Sequence, residues 1–184
     1  MKRILLAALV AVLAVGFAGT VSAKKMYLLN FDKGGMPNDN SNVDCSLAED
    51  KAPKGQIYLK VTPIDATKNT WMGEFSPKKA NWDGYDLIKF DYFSEAKTPT
   101  SLNFVIKPKG VGGDYNGRFD AMVVARPGKG SIEIEIAGAC SNNGNPIDWK
   151  TPVAQWLISG TYSAPIHNGN VTLETSEDEK ETKK

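Results

Sequence analysis

The chain has 184 residues, 41% hydrophobic and 23% charged, with 22 Lys and Arg against 21 Asp and Glu, one histidine and two cysteines. That profile belongs to a globular protein and not to a fibrous or wholly disordered one. Balanced charge denies it the broad basic surface that binds phosphate backbones, so nucleic acid is not an expected partner, and His167 with two cysteines is too small a set for a structural zinc site.

Residues 1–23 read as an export signal. Met1-Lys2-Arg3 is a short basic head, Ile4 to Ala18 is an apolar run, and Val21-Ser22-Ala23 is a small-x-small cleavage site. The run is shorter than the roughly 20 apolar residues of a spanning helix. The expected product is secreted or periplasmic and has no membrane partner once the signal is cleaved. Losing Lys2 and Arg3 from the 22 basic residues leaves 20 against 21 acidic ones, with Arg118 and Arg126 the two arginines that remain. Cys45 and Cys140 would then share an oxidising compartment, where one disulfide is the simplest pairing and two buried thiols the alternative.

After the signal, alternation of apolar and polar residues is the dominant period. Candidate strands run over 27–31, 56–61, 72–75, 88–92, 102–107, 119–125, 131–136, 155–159 and 171–173. The clearest is 131–136, with Ile132, Ile134 and Ile136 on one face and Glu133 and Glu135 on the other. Pro and Gly clusters at 33–37, 107–113, 126–130 and 141–146 punctuate these runs. Short strands with turns every dozen or so residues predict an all-β antiparallel sandwich or barrel, one domain over residues 24–173. Residues 174–184, without an apolar side chain, read as a solvated, disordered tail.

The order of pieces carries a resemblance. Leu29-Asn-Phe-Asp32 opens the domain, Asn81-Trp-Asp-Gly-Tyr85 leads into the strand ending at Tyr92, and Arg126-Pro-Gly128 precedes the Ile132–Ile136 strand. Asn145-Pro-Ile-Asp-Trp149 then comes ahead of Gln155-Trp-Leu-Ile158, and Gly169-Asn-Val-Thr-Leu173 closes the domain. This succession, over roughly residues 27–173, resembles the galactose-binding-like jelly rolls of non-catalytic carbohydrate-binding modules. It implies a jelly-roll β-sandwich that recognises an extracellular or cell-wall polysaccharide. Members of that group often hold a structural calcium between an acidic residue near the first strand and an Asp opening the last. Asp32 matches the first position and Gly169 stands at the second, so the resemblance leaves a structural calcium open and implies no other cofactor. Asp32, Asn38, Asp39, Asn40, Asn42 and Asp44 supply hard oxygen ligands but lack the spacing of a known calcium loop, and read as an Asx-turn loop.

Catalytic chemistry finds no support among the residues. Glu133 and Glu135 have the spacing of a glycosidase pair, but it is also the solvent side of an amphipathic strand. His167 sits in a polar Pro-Ile-His-Asn-Gly stretch, with no G-x-S-x-G elbow to serve, and reads as a loop residue. Sugar binding asks instead for a flat aromatic face and a few forked polar groups in a shallow cleft. Trp71 follows polar loop residues and is the tryptophan available for stacking, while Trp82, Trp149 and Trp156 are expected in the core. Tyr115, Asn116, Arg118 and Asp120 lie in a loop leading into a strand, and the related modules often carry an Arg and aromatic groups at the comparable strand. A plain Arg118–Asp120 surface pair is the competing reading. Gln155 and Tyr162 complete the candidate cleft. The expected site is therefore Trp71, Tyr115, Asn116, Arg118, Asp120 and Gln155, and the alternative function is a protein-interaction or envelope-assembly sandwich with no sugar site.

Overall fold

The computed structural model describes residues 24–176, so the expected export signal and residues 177–184 of the expected tail lie outside the described residues. Two antiparallel sheets face each other. The first contains β1 (Lys25–Leu29), β3 (Val43–Ala48), β4 (Tyr58–Pro63), β6 (Leu87–Ser94), β9 (Gly128–Glu135), β11 (Ile166–Asn168) and β12 (Val171–Glu174). The second contains β2 (Asp39–Ser41), β5 (Thr70–Phe75), β7 (Thr100–Pro108), β8 (Phe119–Ala125) and β10 (Val153–Gly160). In the first sheet β9 flanks β6 on one side, while β12 and β11 lie end to end on the other. β1 pairs with β12, and β4 pairs with β11 and then with β3. In the second the order is β2-β5-β10-β7-β8.

Alternation explains how the sheets close. Ile88, Phe90 and Tyr92 of β6 pair with Ile134, Ile132 and Gly130 of β9, and all but the glycine are buried apolar side chains. Leu102, Phe104 and Ile106 of β7 and Trp156 and Ile158 of β10 face them from the other sheet. Phe104 stacks flat on Trp156 at 5.6 Å between centroids and tilts against Phe90 at 6.5 Å. Gly130 is required here, because a Cβ would run into the Tyr92 ring, whose hydroxyl accepts the Arg126 N–H at 2.8 Å. Trp82 is fully buried and stacks on Trp149 at 5.9 Å, as expected of core tryptophans. Glu133 and Glu135 are exposed on the outer side of β9, and Glu133 pairs with Lys89 across the strand boundary.

Several expectations fail, each for a local reason. The polar run 38–44 is not an Asx-turn loop: it forms β2 and the start of β3, with Asn42 at φ 56° turning between them. The Asn42 side chain donates to the Asp65 carbonyl at 2.9 Å and accepts the Asp65 N–H at 3.1 Å, pinning that corner. His167 is not a loop residue. It is fully buried in β11, with Nε2 2.7 Å from Glu95 Oε1 and the Phe93 ring edge-on at 6.1 Å. Tyr162 is a core residue with its phenol pKa pushed up by burial, and takes no part in a cleft. The tail begins later than residue 174: Glu174 ends β12, the Thr175 N–H bonds to the Lys24 carbonyl at 3.0 Å, and Ser176 donates to Asp86.

The expected disulfide is absent. Cys45 and Cys140 are both free thiols, held on different parts of the fold. Cys45 lies on β3, packed half-buried against the core, and burial pushes its pKa up to about 11. Cys140 is exposed, in the loop after β9 where it forms an isolated bridge with Pro146.

One inward carboxyl makes the interior pH-sensitive. Glu74, on the core side of β5, accepts the Trp156 Nε1–H at 3.2 Å, and burial raises its pKa above the ordinary carboxylate value. Its ionised form is therefore disfavoured in the fold relative to the unfolded chain. This contribution to stability is fullest below the ordinary carboxylate pKa and is lost as pH rises through the raised one. Glu74→Gln, which keeps an acceptor for Trp156, should raise Tm above wild type at pH 7, with the advantage shrinking towards pH 4. Calorimetry on both proteins across that range measures it.

Candidate binding trough

The outer face of the second sheet is where the candidate residues meet. Because side chains alternate along a strand, burying Met72, Trp156, Ile158, Phe104 and Ile106 leaves their neighbours pointing away from the core. The strand register sets these outward residues in three rows across the sheet. The middle row is Asp39, Gly73, Leu157, Val105 and Asp120. On one side run Phe75, Gln155 and Lys107, continued by Arg118 just before β8. On the other run Ser41, Trp71, Ser159, Asn103 and Met122.

Residue height then makes a trough. The middle row is low: at Gly73 a Cβ would collide with the Trp156 carbonyl, and Leu157 and Val105 are only 9% and 4% exposed although they face outward. Their taller neighbours Trp71, Gln155, Lys107 and Arg118 stand around them as walls. Two neighbouring cavities follow from this relief. One of about 300 Å³ is lined by Trp71, Leu157, Val105, Gln155, Lys107 and Arg118 among others, and one of about 320 Å³ includes Asn103 and Met122. Both include Asn69, Arg118 and Ser159 in their walls, which places Arg118 where they join.

Each wall group is held by a second residue. Asp39 accepts the Trp71 Nε1–H at 3.1 Å through one oxygen and a Gln155 Nε2–H through the other, fixing the indole and the amide together. The Gln155 carbonyl oxygen is thereby left as an acceptor. Opposite, Arg118 forks onto Asp120, with Nε 3.0 Å from Oδ1 and Nη2 3.0 Å from Oδ2, and Asn142 donates to the same carboxylate at 3.0 Å. Arg118 Nη1 keeps its hydrogens free as donors, since Nε and Nη2 carry the fork. The Tyr115 ring lies 4.7 Å from the guanidinium carbon and is itself 57% exposed. The loop after β9 braces this corner, its Asn142 N–H bonding to the Arg118 carbonyl at 2.9 Å and its Asn143 N–H to the Asn116 carbonyl at 3.1 Å.

Of the six residues expected at the site, Trp71, Gln155 and Arg118 line the trough together. Tyr115 reaches it through Arg118, and Asp120 supports Arg118 from the end of the middle row. The Arg118–Asp120 surface pair and the trough wall are thus the same structure. Asn116 does not join them: it is exposed in its turn and contributes its backbone carbonyl to the bracing loop. Sequence reasoning missed Asp39, Phe75, Val105, Leu157 and Lys107. For Lys107 the signal was present, since Leu102, Phe104 and Ile106 put it opposite the core positions, whereas Val105 and Leu157 sit inside the apolar runs Phe104-Val-Ile106 and Trp156-Leu-Ile158.

Asp32 and Gly169, where the resemblance left a structural calcium open, lie beside the first sheet. Asp32 Oδ1 accepts the Ile57 N–H at 2.7 Å and Oδ2 accepts from Asn170 Nδ2 at 2.6 Å, while the Asn170 Oδ1 accepts the Phe31 N–H at 2.6 Å. Each Asp32 oxygen and the Asn170 oxygen already accepts a protein donor, and no group of three or more acidic, His or Cys side chains is assembled there among the described residues, so the residues present do not fit the ion.

No protein-family model matches the chain, and no curated protein matches it. Solved structures do. An exo-β-agarase is similar with a TM-score of 0.65 and 13% identity, over 82% of this chain and 25% of its own. A family 11 carbohydrate-binding module from Clostridium thermocellum, solved with a β-1,3-1,4-mixed-linked tetrasaccharide, is similar with a TM-score of 0.53 and 14% identity, over 87% of this chain and 92% of its own. A family 30 carbohydrate-binding module of a cellulosomal cellulase from the same organism is similar with a TM-score of 0.55 and 12% identity, over 84% and 99%. The chain thus spans about a quarter of the agarase and nearly the whole of each module. The fold is the galactose-binding-like jelly roll, as the succession of motifs implied.

Proposed function

We propose that this jelly roll is a non-catalytic carbohydrate-binding module, exported from the cell, whose trough takes a linear extracellular or cell-wall polysaccharide lying across the strands. The observation that carries the reading is the trough itself. It has an apolar floor of Leu157 and Val105, an aromatic face at Trp71, and a fixed acceptor and fixed donors at Gln155 and Arg118. Apolar C–H faces of sugar rings match the first two features and ring hydroxyls match the last. Hydrolysis would need one trough carboxyl held neutral as an acid and another free as a base or nucleophile. Asp39 and Asp120 are instead spent on Trp71, Gln155, Arg118 and Asn142. The likeness to whole binding modules supports the same reading.

The test is affinity electrophoresis of the mature protein through gels containing soluble polysaccharides, with mixed-linkage β-glucan and agarose among them. Retardation by one or more neutral polysaccharides, reduced at least about tenfold in affinity by Arg118→Ala, is the expected result. Unretarded migration in every gel would instead favour the protein-interaction reading, for which the outward Met122, 81% exposed on the edge strand β8, is the natural starting surface.

A further inference from the structure

We propose that the junction where the resembled modules often hold a structural calcium is closed in this chain by a side-chain clasp between Asp32 and Asn170, and that the fold needs no calcium.

The orientation of the Asn170 amide decides this. Its oxygen accepts the Phe31 N–H and its nitrogen donates to Asp32 Oδ2, both at 2.6 Å, so the two partners fix which end is which. The face turned to Asp32 is therefore the N–H end of the amide, which offers no lone pair to a cation. The other Asp32 oxygen is bound to the Ile57 N–H at 2.7 Å. A cation approaching Asp32 would have to compete with both contacts.

Gly169 closes the remaining route. A Cβ there would sit 3.0 Å from the Tyr58 ring and 3.3 Å from the Asp91 carbonyl, so the space an Asp side chain would enter is occupied by Tyr58. Tyr58 is a buried residue that alternates with the core positions Leu59 and Val61 on β4, with its phenol pKa raised by burial, then by Asp91 and Asp32. Glu174 and Asp91 line the same cavity, and Glu174 Oε1 is bonded to Lys25 at 2.6 Å and to the Thr172 hydroxyl at 3.0 Å. No group of three or more His, Cys, Asp or Glu is placed to hold a metal among the described residues.

The clasp also does what a bridging ion would do mechanically. It ties the short 3-10 turn Phe31–Lys33, which follows β1, to the start of β12 and to the chain entering β4. These segments are 25 and 138 residues apart in sequence, so each bond closes a long loop. An amide in place of a second carboxylate removes the like-charge repulsion that a cation would otherwise be needed to offset.

Thermal unfolding of the mature protein in millimolar calcium and in millimolar EDTA tests the proposal. Wild type should give the same Tm in both, and Asn170→Ala should melt about 5–10 °C lower in both, from loss of two hydrogen bonds, one of them to a carboxylate. A wild-type Tm raised by calcium in a saturable way, or an Asn170→Ala Tm equal to that of wild type, would overturn it. Should Asn170→Ala fail to fold, calorimetric titration of calcium into the wild-type protein decides the matter without a variant. No saturable heat is the expected result, and a stoichiometric isotherm contradicts the clasp.

Discussion

Trp71→Ala should weaken polysaccharide binding by about 30-fold or more while leaving Tm within about 2 °C of wild type. The indole stands on the outer face of β5 beside the trough floor, touches the core little, and is held by one hydrogen bond to Asp39. Its fixed plane lets it meet a sugar ring with little further ordering. A buried aromatic anchor of this kind is typically worth 2 kcal/mol or more on truncation, and each 1.4 kcal/mol is about tenfold. Stability should hardly move, because the freed Asp39 oxygen opens to water in a site that is only part-buried. Isothermal titration and thermal melts on the same preparation separate the two effects. Binding preserved within about twofold would place the ligand elsewhere than the trough.

Trp156→Ala should do the opposite. This residue shares β10 with Gln155 and Leu157 but points to the other side, where it is fully buried and lies parallel to Phe104, with an interplanar angle of 1°. Truncating a large aromatic in such a position costs about 3–5 kcal/mol, through lost burial and the cavity left behind. The inward Glu74 carboxyl also loses its donor. Urea denaturation should show the midpoint falling with little change in slope, and a loss under about 1 kcal/mol would mean the two sheets are not packed through this residue. Trp156→Phe, which keeps a ring against Phe104, should recover much of the loss.

How far the sequence could be read depended on whether a segment had an apolar side to declare. The strands at 88–92 and 131–136 announced themselves because each buries every second residue, and those at 102–107 and 119–125 because apolar side chains recur along them between turn signals. β2 carries no apolar residue, being Asp39-Asn40-Ser41 at an edge of the sheet, so its period was invisible and Asp39 with it. β11 is too short to show a period, and its burial of His167 and Asn168 depends on Glu95 and the neighbouring strands, which no local pattern encodes. Trp71, Gln155 and Arg118 could be singled out by residue type, yet their convergence is a matter of register between β5, β10, β7 and β8. Asn116 had the right chemistry in the right loop but lines neither cavity of the trough, a distinction one turn's geometry makes and composition cannot.

The first and last strands of the domain meet with their outer ends side by side: Lys25 lies opposite Glu174, Lys24 exchanges hydrogen bonds with Thr175, and Ser176 is tied to Asp86. Tension drawn through the two ends of the domain would therefore load the β1–β12 ladder one rung at a time, as in opening a zipper, and not all rungs together in shear. Such a module yields early under pull. For the same reason it can be spliced into a surface loop of another polypeptide, entering and leaving at almost one point and leaving its host's backbone undisturbed.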